Sequence, residues 1–392
     1  MPDVAAVKAA VARAVDELRP ALEQTSLAIH ADPEVAYEER RAAERLATLA
    51  ASCGATVRRA IGGVETAFAA ELHGAAASPL IALCAEYDAL PGIGHACGHN
   101  LMGTASVGAF LALHAAEAKL PATVRLIGTP AEERGNGKVR LIEAGMFRDV
   151  DGAMMFHAGT ADELDPLMLA MVSLEVEFAG KAAHAAARPY LGVNALDAMV
   201  MAYNNVSALR QVIRSDSRVH GIITHGGDAP NIIPARAAGR FMVRSPDNRY
   251  LEQLKAKAQR CFEGAALATG AEVRLRFIDQ CDALTTNEPL AEAFAANAAA
   301  LGRPLHRRTP NDSHGSTDMG NVSTLVPSIH PYLAIAPEGT PTHSVEFARY
   351  AGSPAAQETM VVAAKALALT AVDLAASPEL VRRVKQAHAA HA

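Results

Sequence analysis

Residues 79–104 read PLIALCAEYDALPGIGHACGHNLMGT, an apolar run that gives way to a glycine-broken loop carrying His95, Cys97 and His99. The uncharged stretch PLIALCA has the length and composition of a short buried strand, and Pro91, Gly92 and Gly94 mark the loop that follows it. Three explanations fit a thiol and two imidazoles gathered in such a loop: a metal site, a thiol nucleophile with its base, or a structural coincidence. The surrounding segments decide among them.

After the loop, GTASVGAFLALHAAEAKL (103–120) has helical length and composition, and ATVRLIGT (122–129) reads as a second strand that ends in the charged PAEERGNG (130–137). Lys138 to Gly145 reads as a helix, DGAMMFHAG (151–159) as a third apolar strand stopping at His157, and IHPYLAIAPEGTPTHS (329–344) as a strand, a Gly/Pro turn and then His343. Two helical segments precede this series, ending near Gly54. Strands alternating with helices predict an α/β fold with a mainly parallel sheet and helices on both faces.

From about Leu169 the texture changes. Val172, Leu174, Val176 and Phe178 alternate with polar residues, the period of a strand with one wet face. A long helix within 194–213, strands around 220–227 and 237–245, a helix at 250–270 and a strand at 272–278 follow, the order of a small α+β sandwich. Both its ends meet the larger domain, so the expected organisation is a catalytic domain in two parts, 1–168 and 284–392, with an inserted domain at 169–283.

Composition narrows the function. At 392 residues the chain exceeds what one core usually serves. Net charge is −6, which gives no basic field for nucleic acid, and no run long enough to span a bilayer stands out. The N-terminal stretch carries Asp3, Lys8, Arg13, Asp16 and Glu17, unlike the apolar core of a signal peptide. Five cysteines, an odd number without framework spacing, point to a reducing, cytoplasmic setting.

In open α/β sheets ligands bind beyond the carboxyl ends of the strands, and four strand ends here deliver Cys97 with His99, Glu132 with Glu133, His157, and His343. A thiolate, three imidazoles and a carboxylate suit zinc, manganese or cobalt; they are too many for one tetrahedral ion and suit two divalent ions with a shared ligand. Gly98 leaves the backbone free to turn both Cys97 and His99 into one cavity if the loop is extended. In the pair Glu132-Glu133, one carboxylate can ligate while its neighbour moves protons; Glu133 is assigned as the ligand and Glu132 as the general acid/base.

EYDALPGIGHACGHN (86–100), GTPAEE (128–133), FHAG (156–159), GKAAH (180–184), APNIIPARAAGRFMVR (229–244) and GTPTHS (339–344) together resemble the aminoacylase and glutamate-carboxypeptidase family of dinuclear metallohydrolases (clan MH). Within it they are similar to the branch of auxin-conjugate hydrolases, aminobenzoyl-glutamate hydrolases and dipeptidase-like members. The resemblance implies that Cys97, His99, Glu133, His157 and His343 hold two metals with Cys97 as the bridge. It implies that Glu132 is the acid/base and that Asp88 orients a ligating imidazole. It further implies that His184 reaches across a homodimer to the partner's site, and that Asn231 and Arg244 hold the substrate carboxylate. Many relatives carry His-x-Asp where this chain has Glu86-Tyr87-Asp88, so His99 replaces that imidazole. Asn100, where much of the branch has Asp, favours the aminobenzoyl-glutamate and dipeptidase-like members.

The expected activity is metal-dependent hydrolysis of the amide of an N-acyl amino acid, an aminobenzoyl-glutamate-like conjugate or a dipeptide. The expected partners are that small molecule and a second copy of the chain, without nucleic acid or membrane. Three rivals stand beside this reading: a Cys97-dependent thiol hydrolase, which leaves Glu132, Glu133, His157 and His343 unexplained; a non-catalytic binding protein, which needs none of them; and an aminopeptidase. His95 and His225 are kept out of the site; His314 and Asp318 sit in a polar loop that lines the pocket or caps a helix, with Ser313, Ser316 and Thr317 favouring the cap, and His30 with Glu34 and Glu38 is read as support.

Overall fold

The computed structural model describes residues 3–74, 79–115, 121–309 and 315–390. In chain order the helices are α1 Val4–His30, α2 Arg40–Ala51, α3 His99–His114, α4 Gly137–Glu143, α5 Ala195–Leu209, α6 Asn248–Thr269, α7 Glu288–Ala300, α8 Met319–Leu325, α9 Val345–Ala351, α10 Pro354–Ala376 and α11 Pro378–Ala389. The strands are β1 Val57–Arg59, β2 Phe68–Leu72, β3 Leu80–Ala85, β4 Thr123–Gly128, β5 Gly152–Met154, β6 His157–Gly159, β7 Ala170–Ala179, β8 Arg218–His225, β9 Arg236–Ser245, β10 Glu272–Cys281, β11 Ser328–Ile329 and β12 Tyr332–Ala334. The chain divides into two units, one of Met1–Leu167, Leu284–His314 and Asp318–Ala392, the other of Met168–Ala283 with Gly315–Thr317. That last triplet joins the second unit because the Leu169 N–H donates to Gly315 O at 3.0 Å, a pairing that a division by chain position does not contain.

The larger unit is built on a sheet of order β1-β2-β4-β3-β5-β11. β3 pairs in parallel with β4 and β5, and β5 with β11, so the sheet is mainly parallel. Leu83, Cys84 and Ala85 are inaccessible, as a central strand covered on both faces requires. The antiparallel edge formed by β1 and β2 was not expected; β1 is three residues long and carries two arginines, too little apolar pattern to read as a strand. α3 is buried from His99 to Leu113, and α10 buries sixteen of its residues beside it in the same core. By length and composition α10 could cross a bilayer, which corrects the expectation that no such run exists; its residues are spent instead on packing.

The second unit is a four-stranded antiparallel sheet of order β10-β7-β9-β8. In β7 buried and half-buried residues alternate strictly, and the dry face packs on α5 and α6 around Phe178, Phe241 and Phe262. Both helices begin on capping side chains, Asn194 and Asp247, which accept from the N–H groups of their first turns.

Candidate metal centre

The two nearest ligand candidates in sequence do not lie in an extended loop. α3 begins at His99, four residues earlier than its composition suggested, and Gly98 is its N-cap in the left-handed region at φ 81°. A Cβ on Gly98 would sit 2.5 Å from the Ala158 Cβ, so only glycine permits this turn. Cys97 therefore precedes the helix while His99 stands on its first turn, and both face one cavity by a sharp reversal. A second boundary also moves: the apolar stretch 151–159 breaks into β5 and β6, and His157 opens β6 rather than ending a strand. Its backbone pairs with Tyr332 of β12, whose ring stacks on the imidazole at 4.4 Å between centroids.

Hydrogen bonds fix which imidazole nitrogen is available. His99 Nδ1 lies 2.9 Å from the Asp88 carbonyl and 3.1 Å from Asp88 Oδ1. Both are acceptors, so Nδ1 carries a proton, and Nε2 is the nitrogen left to ligate when the ring is neutral. His157 repeats the device, with Nδ1 2.7 Å from Ala158 O and Nε2 turned to Cys97 Sγ at 3.4 Å. Asp88, fully buried, also accepts from the Glu133 N–H at 2.9 Å, so one carboxylate aligns both a histidine and the Glu132-Glu133 loop. Burial opposes ionisation of Asp88, yet the adjoining His99 outweighs it and holds the carboxyl below its ordinary value.

Around these groups further donors converge. His99 Nε2 lies 3.9 Å from Glu133 Oε1, and neither atom has a hydrogen-bond partner. His343 Nε2 lies 3.7 Å from Glu133 Oε2. Three sets of ligand atoms fall within 4.8 Å: Cys97 with His99 and His157; Cys97 with Glu133 and His343; His99 with Glu132 and Glu133. Buried lone pairs facing one another are costly unless a cation sits between them. The donor set, one sulfur, three nitrogens and carboxylate oxygens, therefore fits two soft-to-borderline divalent ions, with Cys97 common to the first two sets. All five cysteines are free, as a ligating thiol requires.

Burial, then the charges of Glu86, Glu133 and Asp318, push the Glu132 carboxyl well above its usual range, a poise suited to a group that both takes and gives protons. His184, Asn231 and Arg244 belong to the second unit. His184 and Asn231 are neighbours there: the Ala185 N–H donates to Asn231 O at 3.0 Å, and the exposed His184 accepts the Ala186 and Ala187 N–H groups on Nδ1, leaving Nε2–H as an outward donor. Arg244 is half-buried on β9 and donates to Ser316 Oγ at 3.3 Å.

Several neighbours were missed or misread from sequence. Glu39, inaccessible, accepts from the Ala131 N–H at 2.9 Å and pins Ala131 at φ 61°, one residue before Glu132. Lys138, Glu86 and Asp318 form a buried ion group beside His99. Asp318 makes no side-chain cap on α8 and pairs with Lys138, so of its two readings the favoured one, helix capping, does not hold; Ser313 and His314 lie outside the described residues. His30 bonds Ala348 O at 2.7 Å, and Glu34 accepts the Arg41 and Ala42 N–H groups at the start of α2, both supportive roles. His95 is buried against the His30 ring, and burial drives its pKa to about 3.

Burial, with Asp88 adding to it, raises Glu39 from 4.5 to about 7. A raised acid binds a proton in the folded state that the unfolded chain has released, so between these values the metal-free protein loses stability as pH rises, by roughly 1 kcal/mol per unit at the steepest. Glu39→Gln is expected to flatten that dependence in urea unfolding of chelator-treated protein at pH 5, 6 and 8. An unchanged slope would show that Glu39 does not titrate there.

Residues 82–370 match the model of peptidase family M20/M25/M40. The chain belongs to that family. It is 41% identical to the Xaa-Arg dipeptidase of Mus musculus, over 97% of this chain and 91% of that protein. To one of the p-aminobenzoyl-glutamate hydrolase chains of Escherichia coli (strain K12) it is 30% identical, over 91% and 89% respectively. A dinuclear metal binding peptidase of family M20 from Bacillus subtilis shares the fold, with a TM-score of 0.73, 21% identity and coverage of 92% of this chain and 99% of that one. An aminobenzoyl-glutamate utilization protein from Klebsiella pneumoniae does so at 0.73 and 22%, covering 92% and 97%. Like its M20 relatives, the protein is a metal-dependent amidohydrolase or peptidase with an α/β fold.

Proposed function

We propose that this protein is a homodimeric dinuclear metallodipeptidase that releases a C-terminal basic amino acid from a dipeptide. The observation that carries the chemistry is the convergence of ligand atoms from Cys97, His99, Glu133, His157 and His343, with His99 Nε2 and Glu133 Oε1 buried and without a hydrogen-bond partner. The substrate side rests on the whole-length likeness to an Xaa-Arg dipeptidase. In this reading the five residues hold two ions of zinc, manganese or cobalt. Bound there, divalent ions supply Lewis acidity toward the amide carbonyl and bring the pKa of water into the neutral range.

Glu132 takes the proton of the attacking water and passes it to the departing nitrogen. Asp88 keeps His99 in the tautomer that ligates and holds the Glu133 backbone in place. His184 of the other protomer donates Nε2–H to the carbonyl oxygen as negative charge builds there. Arg244, with a planar fork of donors, and Asn231 hold the substrate carboxylate. A dimer is supported by the second unit's own surface: β8 is an edge strand exposing Ile222 and Ile223, and α5 exposes Val200 and Met201.

The E. coli likeness favours a second substrate, p-aminobenzoyl-glutamate. The two separate by charge at the released residue. Hydrolysis of β-Ala-Arg, Ala-Lys, Ala-Ala, p-aminobenzoyl-glutamate and N-acetyl amino acids is expected to give kcat/KM at least ~10-fold higher for the cationic dipeptides, a difference of about 1.4 kcal/mol. Preference for p-aminobenzoyl-glutamate would replace the first substrate with the second.

A further inference from the structure

Behind the donor cluster lies a charge group that the proposed mechanism does not use. The side chains of Glu86, Lys138 and Asp318 are all fully inaccessible. Lys138 Nζ pairs with Glu86 Oε1 and with Asp318 Oδ1 at 2.6 Å, and its backbone N–H donates to Asp318 Oδ2 at 2.9 Å. Asp318 thus has both oxygens engaged, whereas Glu86 has only one. Glu86 Oε2 has no hydrogen-bond partner and lies 3.5 Å from His99 Nε2, the nitrogen that Asp88 does not engage. Two buried polar atoms without hydrogen-bond partners therefore face each other, with a lone pair on each whenever His99 is neutral.

Charge and spacing both bear on what these two atoms can hold. One ammonium against two carboxylates leaves a surplus negative charge on the His99 side, an arrangement that is costly without a cation. Donors that share one tetrahedral ion at about 2.1 Å stand about 3.4 Å apart. The Glu86–His99 separation falls among those of the other donor pairs, 3.4 Å for Cys97 with His157 and 3.7 Å for His343 with Glu133.

We propose that Glu86 lends Oε2 to the ion held by His99, and that Lys138 and Asp318 are positioning residues that set its orientation by clamping the opposite oxygen. The two-ion site then has a sixth donor residue, from β3's carboxyl end, beyond the five that motif spacing picks out. This rests on the two-ion reading above, and the experiment separates the two: failure of the unmodified protein to load ions sinks that reading, whereas normal loading with an indifferent Glu86 sinks only this one.

The test uses the full chain loaded with cobalt(II) chloride, in four forms: unmodified, E86Q, K138Q and E86Q/K138Q. The double variant keeps the net charge of the buried group, so it guards against misfolding of E86Q alone. E86D, which withdraws the oxygen by one methylene and keeps its charge, replaces them if neither folds by circular dichroism. Competition with a chromophoric chelator is expected to show one of the two ions held at least ~10-fold more weakly in E86Q and the double variant, with the other little changed. The visible cobalt bands are expected to shift in position and intensity in the same variants, and less so in K138Q. Two ions bound with unmodified affinity and an unmodified cobalt spectrum in the Glu86 variants would overturn the proposal and leave Glu86 as a partner of protonated His99 only.

Discussion

Glu132→Ala is expected to keep two bound ions per chain and lose turnover by ~10³ to 10⁴-fold, about 4 to 5.5 kcal/mol of barrier. The size follows from one carboxyl doing two proton transfers, from water and to the leaving amine, while the carboxyls beside it are committed elsewhere. Glu133 turns its two oxygens toward His99 and His343, and Asp88 is engaged with His99 and the Glu133 backbone. Glu132 joins the donor set of His99 and Glu133 only, and its carboxyl is flanked by Glu86, Glu133 and Asp318. Metal content and kcat measured on one preparation check the assignment. Loss of an ion together with activity would make Glu132 a ligand, and near-normal kcat would remove it from the proton path.

His184→Ala is expected to lower kcat by ~10² to 10³-fold while leaving metal content unchanged, since a preorganised donor to a developing oxyanion acts only in the transition state. The more telling result is in the mixture. Where His184 serves the partner's site, a heterodimer of one His184→Ala protomer and one Glu132→Ala protomer contains one site with both residues intact. Random exchange in a two-fold dimer makes half the dimers mixed, so activity is expected to recover to about a quarter of the unmodified level. No recovery after protomer exchange proven by labelled chains would place His184 in its own protomer's site or outside any site.

Much of this geometry was legible in the chain because the decisive signals are local. The apolar run into β3 and the alternation of Val172 to Phe178 in β7 each state their structure within a few residues. Gly98 shows the limit: the sequence offered a free backbone in an extended loop, while the left-handed turn into α3 and the pressure of Ala158 come from the fold. His157 was placed at the end of a strand because its apolar flanks run on, whereas pairing with Tyr332 makes it the start of another.

What stayed hidden is long-range. Lys138 meets Glu86 across 52 residues of sequence and Asp318 across 180, and Glu39 reaches Ala131 across 92. No period or motif spacing encodes such contacts. Lys138 opens a segment that reads only as a helix, and its burial comes from the fold that brings α4, α8 and the end of β3 together. Asp318, one residue before a short helix, has the look of a cap for the same reason.

The central claim is that two metal ions held by Cys97, His99, Glu133, His157 and His343 make this chain a hydrolase. Elemental analysis of the purified protein, with dipeptide hydrolysis followed before chelation, after it and after restoring zinc, manganese or cobalt, tests that most directly. Close to two ions per chain are expected, with activity lost to the chelator and regained with metal. A metal-free protein that stays active in chelator and is silenced by a thiol reagent would contradict it and make Cys97 the nucleophile.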